Sequence, residues 1–201
     1  MKKHEKNNKG FTLMEMLIVV AVIAVLVAIA VPVLHNKLEK ARQAVDMANA
    51  RSIQTVLATL INTGEVEFPK EALNKNDKAI GLWVLVVRDK NSYPQNYTAN
   101  NFEGGTVTVF CGTDSGVLVN GKGTAQWWMP NEALRNALGS LSGINSKSKE
   151  WDWYVVQYDY DPKTQSVRDY IYSGNKNGPS QVTEATASQT KIAQAMSRKN
   201  N

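Results

Sequence analysis

The sequence predicts an α+β protein, one long N-terminal helix followed by an antiparallel β-sheet domain. Three observations carry that expectation. Residues 11–34 form an unbroken apolar run, residues 35–62 continue it with helical spacing, and short apolar stretches separated by turn residues follow. Helix first and hairpins afterwards is the order of an α+β chain, not of an alternating α/β one.

The first element is FTLMEMLIVVAVIAVLVAIAVPVL, Phe11 to Leu34. A helix rises about 1.5 Å per residue and bilayer hydrocarbon is about 30 Å thick, so roughly 20 apolar residues span it. This run is long enough, and Glu15 is its only formal charge. A charge at the centre of a spanning helix costs about 2.5–3.5 kcal/mol, less near an end. Glu15 is therefore a candidate functional residue, and it needs a partner. Ahead of the run, Lys2, Lys3, Lys6 and Lys9 against Glu5 hold a net +3 of the chain's total +5. That concentration weakens the basic balance as an argument for nucleic acid. It reads instead as a positive-inside flank that keeps residues 1–10 in the cytoplasm.

The second element is the continuation, residues 35–62. Leu34, Leu38, Ala41, Val45 and Ala48, then Ile53, Val56, Leu57 and Leu60, form a drifting apolar stripe, with Lys37, Glu39, Lys40, Arg42 and Asp46 mostly off it. Ala41, Ala44 and Ala48 are small enough for close packing on a sheet. From residue 35 on, no glycine or proline interrupts before Gly64, so one helix is expected from Phe11 to Asn62, apolar all round at first and amphipathic afterwards. Pro32 removes one backbone N–H opposite the carbonyl of Ala28 and predicts a kink or local unwinding.

Residues 63–174 are expected to form the globular head. Its first stretch, 63–80, is polar, contains Pro69 and reads as a long connection. LWVLVV (82–87) is apolar on both faces, as in a central or doubly covered strand. GTVTVFC (105–111) alternates, and SGVLVNG (115–121) and GTAQWWM (123–129) lie within a hairpin's reach of each other. Residues 130–138 read as a short helix opened by Pro130 and closed by Gly139. WDWYVVQYDYD (151–161) and QSVRDYIYS (165–173) flank the turn DPKT as a last hairpin. The tail, 175–201, is polar, and disorder is expected, with TKIAQAMSRK able to form a turn or two of basic helix.

Several chemistries find no material. Cys111 is the only cysteine, so no intrachain disulfide can form, and its alternation with valines predicts a buried, inert thiol. His4 and His35 are the only histidines, which leaves almost nothing for a histidine-based metal or catalytic site. Asp114-Ser115-Gly116 has the aspartic-protease triplet, yet no second copy exists and a turn needs the same residues. Asp159, Asp161 and Asp169 are candidate calcium ligands, outweighed by the reading as solvated turn acids. No cofactor or metal site is expected. The aromatic stretch Trp151, Trp153, Tyr154, Tyr158 and Tyr160, with Tyr170 and Tyr172, reads first as a packed strand face. Trp151, Trp153, Tyr158 and Tyr160 are also candidates for a surface that stacks sugars or single-stranded DNA, beside Arg168 and Lys163.

Three readings compete for the N-terminus. A secretory signal cut after Ala30 fits Ala28-Ile29-Ala30 and would release a secreted carbohydrate-binding domain, but the apolar run is too long and contains Glu15. A plain anchor leaves Glu15 unexplained. The third reading rests on Lys9-Gly10-Phe11-Thr12-Leu13-Met14-Glu15 at the head of a long apolar helix, with Pro32 further on. This pattern resembles the class III signal of type IV pilins and type II secretion pseudopilins, over roughly residues 1–60. The resemblance implies the pilin fold, a prepilin peptidase that cuts between Gly10 and Phe11, N-methylation of Phe11, and no catalysis by the chain itself. It implies that Glu15 meets the Phe11 amine of a neighbouring subunit and so fixes register. It also implies other pilins or other copies of this chain, an assembly platform and the plasma membrane as partners. The chain would be single-pass with a cytoplasmic N-terminus before assembly and part of a surface filament after it. A pseudopilin of a secretion or DNA-uptake machine is the alternative within the family. The lack of a disulfide-closed C-terminal loop points towards Gram-positive or minor-pilin relatives.

Overall fold

A computed structural model describes residues 11–65, 80–89, 91–94, 106–113, 143–161, 164, 166–178 and 187–198. The expected strands at 115–121 and 123–129, the expected helix at 130–138, the Asp114-Ser115-Gly116 turn, Lys163 and most of the 63–80 connection lie outside these residues. The elements are α1 (Leu13–Asn62), β1 (Ile80–Val87), β2 (Val107–Thr113), β3 (Trp153–Asp161), β4 (Ser166–Gly174) and α2 (Lys191–Arg198). The chain divides into two compact units, Met1–Ala41 and Arg42–Asn201.

In the first unit, α1 is a bare apolar helix. Leu13, Ile18, Ile23, Leu26, Ile29 and Val33 are all more than half exposed, as are most of their neighbours. The helix continues through Pro32 without a break. It begins at Leu13 rather than at Phe11, because Thr12 caps it.

In the second unit, four strands form one antiparallel sheet in the order β2-β1-β3-β4. β1 is central, which is why its sequence is apolar at every position. Leu82, Val84 and Val86 point to one face, and Trp83, Leu85 and Val87 to the other, all of them buried. The first face packs against Met47, Ala50, Ile53, Leu57 and Leu60 of α1, together with Tyr154, Val156 and Tyr158 of β3. The second face gathers Trp153, Val155 and Tyr172, with Tyr93 and Ala187. Each large apolar side chain buried this way contributes on the order of 1.5–3 kcal/mol. The β3–β4 hairpin is in the expected place, with Asp161 opposite Ser166 at its turn.

The stripe assigned to α1 needs correction. Leu34, Leu38 and Val45 are 59, 48 and 45% exposed, and Ala41 and Ala48 also lie open. The face that packs on the sheet is Asp46, Met47, Ala50, Ile53, Leu57 and Leu60. The error has a clear source: an acid was assigned to water, and removing it from the pattern shifted the apparent stripe by a fraction of a turn. Of the three alanines, only Ala44 packs at the edge of the core. In the tail, the turn or two of basic helix that TKIAQAMSRK allows forms as α2 (Lys191–Arg198), and Ile192 is fully buried in the core that α1 shares with the sheet, so this stretch is ordered rather than disordered. The Ile192 amide donates to Ser173 Oγ at 3.2 Å, and Lys191 pairs with Glu150 at 2.5 Å. The head therefore extends beyond residue 174.

Candidate assembly site

The mouth of α1 is a reciprocal capping box. The Glu15 amide donates to Thr12 Oγ1 at 3.2 Å, while Glu15 Oε2 accepts from the Thr12 amide at 2.8 Å and from the Thr12 hydroxyl at 2.9 Å. Thr12 stands at the N-cap and Glu15 three residues into the structure, so two backbone N–H groups that a helix start leaves open are satisfied by side chains. The carboxylate also sits at the positive end of the helix dipole. Glu15 thus has a partner within its own chain, which the sequence argument did not supply. The signal was present: Thr-x-x-Glu before an apolar run is the pattern of such a box.

Around this box everything is open and apolar. Phe11 is 81% exposed and Leu13 83%. The apolar window that follows is long and uncharged enough to cross a membrane, and none of it is buried. Gly10 lies outside the described residues. An aromatic residue, a capped glutamate four residues on, and an exposed apolar helix form one continuous motif. The chain carries a prokaryotic N-terminal methylation motif. The family model matches residues 6–31. This motif is the class III prepilin signal peptide of the type IV pilin and pseudopilin family. The long N-terminal helix and antiparallel sheet agree with the α+β pilin fold. No curated protein and no solved structure matches the chain.

The prepilin motif gives the apolar helix its general sense, membrane anchoring before assembly with other pilins. Pro32 lies within the matched helix's continuation and leaves the Ala28 carbonyl without its usual donor, although the helix runs on.

Among the described residues, the head shows no exposed stacking surface of the kind its aromatic residues offered. Trp151 and Trp153 are 1% exposed and Tyr158 is 8%, so their rings belong to the core and the stacking-surface reading is withdrawn for them. Alternation explains this: β3 is covered on both faces, so Trp153 fills one core and Tyr154 and Tyr158 the other. The side chains of Tyr160 and Cys111 lie outside the described part of the structure. The three candidate calcium ligands have other business. Asp159 accepts from Gln157 Nε2 at 2.9 and 3.1 Å, Asp169 binds Gln54 of α1, and Asp161 accepts from the Thr164 amide at 3.4 Å. Among the described residues, no group of three potential ligands is placed to hold a metal.

The polar centre that sequence reasoning missed is Asp46. It is fully buried, and four donors converge on it: the Lys147 amide at 2.8 Å, the Ser148 amide at 3.0 Å, Trp151 Nε1 at 3.0 Å and the Ser146 hydroxyl at 3.2 Å. Burial pushes this carboxyl above its usual value of 3.8, and the hydrogen bonds offset that only in part. The segment that supplies the donors is tied from its other side by Arg88. The Arg88 guanidinium donates to the Ser148 and Trp151 carbonyls at 2.8 and 2.7 Å and pairs with Asp152 at 2.8 Å. No local signal links Asp46 to residues a hundred positions away.

Proposed function

We propose that the chain is a structural subunit of a type IV pilus-like filament. It is made as a prepilin, cut between Gly10 and Phe11, methylated on the new Phe11 amine, and packed through its N-terminal helix against other pilins. The observation that carries this reading is the fully exposed apolar helix headed by the methylation motif. A surface of that kind has two solvents that suit it, lipid and the flanks of similar helices. Cleavage on the cytoplasmic side removes the basic flank, residues 1–10, and leaves the helix in the plasma membrane as a stock for assembly. The assembly platform then draws it into a fibre on the cell surface. In that packing the Phe11 amine of one subunit meets Glu15 of another. Each charge is costly alone in a low-dielectric bundle, and pairing offsets much of that cost while fixing register. The role is mechanical and requires no cofactor.

The test is the identity of the first residue. Mass spectrometry of protein from sheared surface filaments and from membranes is expected to find N-methylated Phe11. Recovery in the sheared fraction supports a pilus subunit, whereas confinement to membranes supports a pseudopilin of a secretion or DNA-uptake machine. A chain starting at Val31 overturns both and leaves a secreted domain.

A further inference from the structure

We infer that Asp46 is the positioning residue that sets where α1 lies along the sheet. The apolar pattern of the helix does not do this alone. The packed positions are Met47, Ala50, Ile53, Leu57 and Leu60. A slip of three residues would put Ala50, Ile53, Val56, Leu60 and Thr63 in their places, so four of the five stay apolar and only the last, at the end of the helix, turns polar. Such a slip changes side-chain volumes, a fault that cores often absorb by repacking. It cannot keep Asp46. In the slipped arrangement Asn49 would stand where Asp46 stands, and the carboxylate would leave its donors.

The donors make that loss decisive. All four come from the short segment 146–151, and they include the consecutive amides of Lys147 and Ser148, which no side-chain rotation can redirect. The segment is itself fixed, since Arg88 grips its Ser148 and Trp151 carbonyls and the Ser146 amide donates to the Val87 carbonyl at 3.1 Å. Asn49 would bring one acceptor oxygen and an NH2 in place of two carboxylate oxygens, so part of the four donors would lose their acceptor, and the Asp46 carboxylate would move unpaired among apolar groups. Gln54 bound to Asp169 is a second polar tie between α1 and the sheet, but it lies exposed and is worth correspondingly little. A buried polar group that fixes register at some expense of stability is a role with precedent in helix pairing. This inference concerns the head alone and stands whether or not the filament reading does.

The test uses full-length chain in detergent with Cys111→Ser, and two reporter pairs oxidised to disulfides. Gln54→Cys with Asp169→Cys reports the observed register, and Leu57→Cys with Asp169→Cys reports a three-residue slip. With Asp46 intact, the first pair is expected to cross-link and the second to stay at background. Moving the carboxylate, by Asp46→Ala with Asn49→Asp, is expected to reverse that preference. A folded double variant that still favours the 54–169 pair overturns the inference. If the double variant does not fold, Asp46→Asn decides, because it keeps the shape and loses the charge. A rise in the 57–169 product supports the inference, and an unchanged ratio overturns it.

Discussion

The indole of Trp153 occupies the space directly over Gly174. A Cβ built on Gly174 would come within 2.2 Å of Trp153 Cζ2 and 2.7 Å of Cη2. The two residues face each other across the β3–β4 ladder, and the ring is 1% exposed with the Tyr172 ring edge-on to it at 6.3 Å. Glycine is here for room, not for backbone freedom. Gly174→Ala is expected to destabilise the head by about 1–3 kcal/mol, the usual cost of overpacking. Gly143→Ala, where nothing lies within 4 Å of the new methyl, serves as the near-neutral control. Thermal unfolding of both variants in detergent checks this, and equal melting temperatures would refute the steric account.

Asp46→Ala removes the acceptor for four donors at once. The expected loss is about 2–4 kcal/mol, in line with leaving buried donors unsatisfied. Urea unfolding followed by tryptophan fluorescence measures it, and Trp151, which donates to Asp46, reports the site directly.

The same carboxyl predicts a pH dependence. Its folded value lies above the unfolded one because it is buried. Its titration therefore adds stability that is present below the unfolded value, near 4, and lost as pH rises through the folded value. Relative to Asp46→Asn, the wild-type chain should gain as pH falls from about 7 towards about 4. Unfolding midpoints of both chains across that range decide it, and a constant difference would count against a raised value.

Arg88 uses two carbonyls and one carboxylate in a planar arrangement that an ammonium cannot copy. Arg88→Lys should cost about 1–3 kcal/mol and increase hydrogen exchange in the 146–152 segment. Unchanged protection there would show that Asp46 holds the segment without help.

Glu15 caps the helix, and in the proposed filament it also pairs with the Phe11 amine; a single substitution separates the two. Glutamine serves as well as glutamate in a capping box, but it carries no charge. Glu15→Gln should therefore keep the helix start and still impair filament yield, if pairing with the Phe11 amine drives docking. Wild-type yield of sheared filaments from Glu15→Gln would leave capping as the whole role. Both Glu15→Gln and Glu15→Leu should still be processed, whereas Gly10 replaced by a bulky residue should accumulate uncut precursor on immunoblots.

The apolar run, the central strand LWVLVV and the last hairpin were legible because each is a local pattern whose period or length has one interpretation. The packing face of α1 was not. Its outward side carries Leu38, Val45, Ala41 and Ala48, and its inward side includes a carboxylate, so polarity alone reverses the two sides at Asp46. The burial of Asp46 depends on donors from the far end of the chain, which no window around residue 46 contains. Ile192 escaped for a related reason: with Ala195 and Met196 it makes an apolar face of a single short helix, too brief to stand out in a polar tail until the core it enters is known. The described aromatic residues of β3 are packed, as expected, but on two faces rather than one: Trp153 on one side, Tyr154 and Tyr158 on the other, because both sides of the strand are covered.

The Thr12–Glu15 box has a consequence for timing. Its hydrogen bonds use the amide and hydroxyl of Thr12 and nothing before it. A cut between Gly10 and Phe11 leaves those groups untouched, so the glutamate is held in the same way before processing, after it, and during any wait in the bilayer. Under the proposed filament role, the subunit would be a part with a shelf life: its most awkward group is already wrapped, and a neighbour would unwrap it only at the moment of use.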